Sequence, residues 1–268
     1  MNATPALWTA DRPVGTLMPI GRILRAYARE VGYESLRMLR SPAFAIPFLV
    51  LPVPVYLFFG VMLAGAAVAK NPGIANYLFS GFSVFAIMGP ALFGAGCTIA
   101  LERDAGFLQL KRALPAPGGA YVIAKMAMSM VFAALAMSTM LAAALIGHTT
   151  GLSVAQLLVM TIVMVVGAVP FCAMGLFIGT YASGSAAPAF INVLFLPMLW
   201  LSGLFIPLPA FLERWVVIWP AFHLNQVALG AAGVSGFTFI SPTIAAAVLI
   251  GVTVFFGGLA VRRLARRG

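Results

Sequence analysis

Between Met126 and Leu212 the chain holds no Asp, Glu, Lys or Arg. That run constrains the fold more than any other feature. A soluble domain is usually about a quarter charged, and a stretch like this has no face to offer water. The rest of the chain is similar: 62% of its 268 residues are hydrophobic and 8% charged, with mean hydropathy +1.06. The bilayer is therefore the expected solvent, and in it only helices and closed barrels satisfy their own backbone groups. Barrel strands alternate polar and apolar residues in segments of about 10, whereas these apolar runs exceed about 20 residues without alternation. The expected fold is an all-α integral membrane protein.

A formal charge of +10 would suggest nucleic acid in a soluble protein. Here the cations cluster at the flanks of apolar runs, so they report topology, and no nucleic-acid partner is expected. Cys97 and Cys172 lie inside apolar runs with no CxxC or Cys/His spacing, so they are expected as small core residues and no metal site is expected.

Residues 1–20 contain Pro5, Pro13 and Pro19 and no apolar core run. They are expected to form a cytosolic tail, not a cleavable signal peptide. Residues 21–40 have helical periodicity, with Ile23, Leu24, Tyr27, Val31 and Met38 on one side and Arg22, Arg25, Arg29, Arg37 and Arg40 on the other. A basic face opposite an apolar one predicts a helix lying in the membrane surface, its arginines reaching anionic headgroups of membrane lipids.

Residues 41–268 are expected to form one domain of six spans, at about 43–68, 75–100, 120–146, 154–180, 187–206 and 241–261. Ser41-Pro42 starts the first span, with Ser able to cap and Pro tolerated at the first helical position; with Pro47, Pro52 and Pro54 inside it, the span is expected to be kinked or to begin late. Lys125, near the start of the third, is expected to snorkel to the headgroups. Residues 207–240 are too proline-broken to span, and short helices dipping into the outer interface are expected there, with Trp200, Trp215 and Trp219 in the aromatic belt. Of the sixteen lysines and arginines only Lys70 and Arg214 fall on the far side. The positive-inside rule then puts both termini and the segment 102–117 in the cytosol.

That segment is a charged stretch flanked by long apolar runs on both sides. Acids come first (Glu102, Asp104) and bases last (Lys111, Arg112), an order that suits the dipole of a short helix. Pro115 and Pro117 stop it. Phe107, Leu110 and Leu114 share a face by their spacing. An apolar face in the cytosol calls for a partner; the alternative is that it lies back on the chain's own membrane surface, with Glu102 and Arg103 as plain flanking charges.

Glu102-Arg103-Asp104-Ala105-Gly106, with Leu110 and then Leu114-Pro115, resembles the E-R-x-x-G…L…P signature of type-2 ATP-binding-cassette (ABC) exporter permeases. The stretch from Leu201-Ser202-Gly203 through Pro207, followed by Trp215, Pro220 and His223, resembles that family's passage from the fifth span into outer-face helices. Arg214 departs from it, standing where a proline and an acid are common. The nearest likeness is to the drug- and antibiotic-resistance branch, within which the chain would be a multi-pass subunit of the bacterial inner membrane.

The resemblance implies two permeases, identical or paralogous, each seated on a separate ATPase subunit that binds the ATP and Mg. It makes 102–117 the coupling helix, with Glu102, Arg103, Asp104, Gly106, Phe107, Leu110, Lys111, Arg112 and Pro115 as its contact residues. It makes 21–40 the elbow helix, and 207–225 the re-entrant gate, with Ser202, Gly203, Pro207, Glu213, Trp215, Pro220 and His223. The implied cargo is amphipathic or hydrophobic: a drug, antibiotic, lipid or lipid-linked glycan. This chain has no G-x-x-x-x-G-K-[ST] phosphate loop to hold ATP by itself.

Two rivals are weighed against this. A secondary transporter or channel needs ionisable residues at mid-membrane, but the predicted spans lack acids. Their few polar groups, Ser138, Thr139, Thr161 and Asn192, could line a weakly polar path or simply bond between helices. An intramembrane enzyme would need motifs such as H-E-x-x-H or G-x-S-x-G, and neither occurs. No catalytic residue and no cofactor of this chain's own are expected.

Overall fold

The computed structural model describes residues 20–113, 120–205, 214–234 and 236–267. The described elements are all helical. Among the described residues, five helical stretches are long and apolar enough to cross a membrane: Pro42–Leu63, Gly73–Asp104, Tyr121–Gly147, Val154–Gly179 and Pro242–Arg266. The expected span at 187–206 is a shorter apolar helix, α10, Ala187–Leu201, of 15 residues, below the roughly 20 that a perpendicular crossing takes.

The helix Gly73–Asp104, called α5, is the axis of the molecule. Its 32 residues give a rod of about 48 Å, longer than the roughly 30 Å hydrocarbon core. Within its most apolar window 78% of residues are buried, against 17% for Pro42–Leu63 and 22% for Pro242–Arg266. The other helices surround α5, and the first and last stretches carry the lipid-facing surface.

Its most extensive neighbour is α9, Ala168–Gly179. The two approach through glycine: a Cβ on Gly96 would stand 2.8 Å from the Gly175 carbonyl oxygen, while Cβ atoms on Gly175 and Gly179 would press into the carbonyls of Leu92 and Gly96. Gly175 and Gly179 form the small-x-x-x-small spacing that lets helix backbones touch in lipid. The helix before α9 is α8, Val154–Val166, capped by a reciprocal Ser153–Gln156 box and separated from α9 by a break at Gly167, three residues before Pro170.

The first span differs from a simple kinked helix. Its prolines divide it into α2 (Pro42–Val50), α3 (Pro52–Val55), a π-helical segment Tyr56–Leu63, and α4 (Gly65–Lys70). Ser41 stands at the start, but its side chain makes no cap bond; its carbonyl accepts from the Phe44 and Ala45 amides. The helix α1, Ile20–Leu39, packs along α7, Ala120–Gly147. Its packed face holds Glu34, Ser35 and Met38, with Ile23, Tyr27 and Val31 half-buried, whereas Leu24 is exposed.

The expected re-entrant region is described only in part. Residues 206–213 lie outside the described residues, and with them Pro207 and Glu213. Pro220–Ala231, named α11, is buried along nearly its whole length, packed between α5, α8 and the last helix α12, Pro242–Arg267. Its polar residues bond internally, except that His223 Nδ1 is buried with no hydrogen-bond partner among the described residues. Asn225 Oδ1 accepts from Ser80 at 2.5 Å, Gln226 pairs with the backbone of Phe237 and Phe239, and His223 Nε2 lies 2.7 Å from the Val217 carbonyl.

Candidate functional site

The far end of α5 carries Glu102, Arg103 and Asp104, whose side chains make three different attachments. Glu102 turns inward and is 1% exposed. Its Oε1 accepts from Arg37 at 2.5 Å and from Lys125 at 3.2 Å. Lys125, fully buried, also donates to Glu34 Oε2 at 2.6 Å. Two acids and two bases, neutral in sum, thus join α1, α5 and α7. Burying such a set is tolerable only because each charge is met by another. Two expectations change here. Lys125 does not snorkel to headgroups; the carboxylates of Glu34 and Glu102 hold it inside. Nor is Glu102 a surface contact residue.

Arg103 turns toward the end of α9. It donates to the carbonyls of Thr180 at 2.6 Å and Ala182 at 2.7 Å. These are carbonyls just beyond a helix C-terminus, where a cation is favoured. Asp104 accepts from the Gly184 amide at 2.6 Å, which holds its carboxyl against the same turn. Arg263 of α12 donates to the Thr180 carbonyl at 2.9 Å and lies over the Tyr181 ring at 3.5 Å. The 180–184 turn is therefore gripped by residues of two other helices.

Beyond this anchor the backbone reverses at Gly106, whose φ of +74° suits glycine. The short helix α6, Phe107–Ala113, follows. Leu108 is buried and packs with Ala95, Ile99, Cys172, Leu176 and Ala260. Phe107 and Leu110 are 51% and 62% exposed. One apolar residue ties the helix to the body and two face outward. The side chains of Lys111 and Arg112, and all of Leu114 and Pro115, lie outside what is described.

The other predicted residues, Arg37 apart, do not join this site. Of the predicted interfacial arginines only Arg37 reaches it, through Glu102; Arg22, Arg25 and Arg29 are exposed on α1 and Arg40 is exposed just past its end. Ser202 donates to the Met198 carbonyl and the Gly203 carbonyl accepts from Tyr77, fixing the end of α10. Pro220 and His223 are buried in α11, while Trp215 is 52% exposed. Burial lowers the His223 pKa, only partly opposed by the Val217 carbonyl. Ser138, Thr139 and Thr161 bond to carbonyls of their own helices, Thr139 reaching Leu49 as well, and Asn192 is exposed on α10. The hydroxyls bond as ordinary helix residues do.

Sequence reasoning missed Glu34, Lys125, Leu108 and Arg263. A signal existed for two of them: Glu34 falls on the apolar stripe between Val31 and Met38, and Lys125 is a lone cation inside an apolar run. Each calls for an opposite charge.

A family model described as "ABC-2 type transporter" matches residues 31–239, which include this whole constellation except Arg263. The chain is 26% identical over 201 residues to the Bacillus subtilis (strain 168) protein named "Putative transport permease YvfS", covering 73% of this chain and 80% of that one.

Proposed function

Because the chain belongs to the ABC-2 type transporter family, we propose that it is the permease half of an ATP-driven exporter in the bacterial inner membrane. It works as a dimer with a second copy or a paralogue. A separate ATPase subunit binds ATP and Mg and docks on the segment 102–117. The cargo is amphipathic or hydrophobic, in keeping with spans that lack free charges. Both termini lie in the cytosol, α1 is the elbow helix, α10 completes a sixth span, and 207–225 forms the outer gate.

One observation carries this reading. Phe107 and Leu110 are held outward on a helix whose base is fixed by Leu108 and the Glu102–Asp104 anchor. Two large apolar side chains on a rigid stalk give a partner a grip, as interface anchors do. A gradient-driven carrier would instead need its ionisable groups at mid-membrane, whereas Glu102 lies in the last turn of α5.

The test is purification in mild detergent from the native host. An ATPase bearing a phosphate loop should co-purify at about one copy per permease. Replacing Phe107 and Leu110 together by Asp should cut its recovery at least tenfold, about 1.4 kcal/mol of docking energy, with the amount of inserted permease unchanged. Undiminished recovery would remove the docking role. A lone chain that transports on a proton or sodium gradient would favour the carrier.

A further inference from the structure

Three consecutive residues on one helix end hold three separate parts of the molecule. Glu102 reaches α1 and α7 through Arg37, Lys125 and Glu34. Arg103 and Asp104 reach the 180–184 turn, which Arg263 ties to α12. We infer that this triad divides any displacement of the helix Phe107–Ala113 into two independent paths, one into α1 and α7, the other into α9 and α12.

The paths are stiff for different reasons. The first is an ion set in which the fully buried Lys125 holds two buried carboxylates, so it resists stretching. The second is a fan of charge-assisted bonds onto backbone carbonyls, which fixes the orientation of a planar guanidinium. Both begin at adjacent residues, so a push on the short helix enters both, and loss of one leaves the other in place. Lys125 and Arg263 are positioning residues, since each acts through the groups it holds. Only the origin of the push rests on the docking function proposed above; the paths lie wholly within this chain.

Spin-label distances in the full-length chain in lipid nanodiscs test the division, with Cys97 and Cys172 replaced by Ala. One pair joins Gln109 to Arg29 on α1, the other Gln109 to Arg266 on α12; all three positions are exposed. Lys125→Met should at least double the width of the Gln109–Arg29 distribution and leave Gln109–Arg266 unchanged. Arg103→Gln should do the reverse.

Milder variants guard against misfolding. Arg37→Gln should broaden the first pair alone, and Asp104→Asn the second alone. General loosening would broaden both pairs in every variant, and that result overturns the division, as does no change in either pair. These distances need no ATPase, so failed co-purification would sink the docking function while leaving the division standing.

Discussion

At the scale of single residues, burial decides what a charged or polar group is for. Glu102 sits in a motif that resembles a partner-binding signature, yet its carboxylate is spent on Lys125 and Arg37. His223 gives a direct reading of the same principle. Folding places it among apolar neighbours that disfavour the imidazolium, so its pKa falls below the usual 6.5. The unfolded chain then binds a proton that the folded chain refuses, and stability drops as pH falls from 6.5 through the folded pKa. Above pH 6.5 this contribution is fully present. The thermal midpoint in detergent should therefore fall between pH 7.5 and pH 5.5, and His223→Gln should shrink that fall. An equal fall in the variant would show that other groups are responsible. The family resemblance places His223 in the outer segment, and the structure sets its ring against the Val217 carbonyl.

Among the elements, long apolar runs were legible and partner-dependent helices were not. The ranges expected for four of the crossings agree with helical stretches within a few residues, since twenty apolar residues have one stable use in lipid. The helix α11 is expected from sequence only as one of several short outer helices, because the prolines of 207–240 argue against a span. The partner of Asn225, Ser80 on α5, is distant in sequence, whereas those of His223 and Gln226 lie six to thirteen residues away across turns. The α5–α9 contact needed the structure, because the register of Gly96 against Gly175 and Gly179 joins segments about eighty residues apart. That register makes a prediction. Gly179→Leu forces a side chain against the Gly96 carbonyl and Ile99, and backbone cannot rotate away as a side chain could. Overpacking costs about 1–3 kcal/mol, and detergent-solubilised protein should lose thermal stability accordingly. Gly258→Leu, in a position open within 4 Å, should leave it unchanged. Equal stability in the two would mean that α5 and α9 do not meet at glycine.

Taken whole, the molecule has two unlike ends. Near the Glu102 end of α5 lie Arg37 and Lys125, which share Glu102, and Arg103 and Arg263, which share the Thr180 carbonyl. The opposite end is fastened by neutral bonds, Tyr77 to Gly203, Asn76 to Gly151 and Tyr56 to Thr149, with Lys70 two residues before Pro72. A multi-pass membrane protein with this polarity should insert with the cationic end in the cytosol, because cations resist translocation. The short helix Phe107–Ala113 lies at that end, where a soluble ATPase would be, and the two facts constrain each other. A single cysteine at Gln109, exposed and beside Leu110, decides both. In intact spheroplasts it should resist a membrane-impermeant maleimide, and in inverted vesicles it should react fully. If a docked ATPase covers the site, reaction in inverted vesicles should rise severalfold after the peripheral subunits are stripped. Reaction from outside intact spheroplasts would put the handle on the wrong side of the membrane, and no cytosolic motor could then grip it.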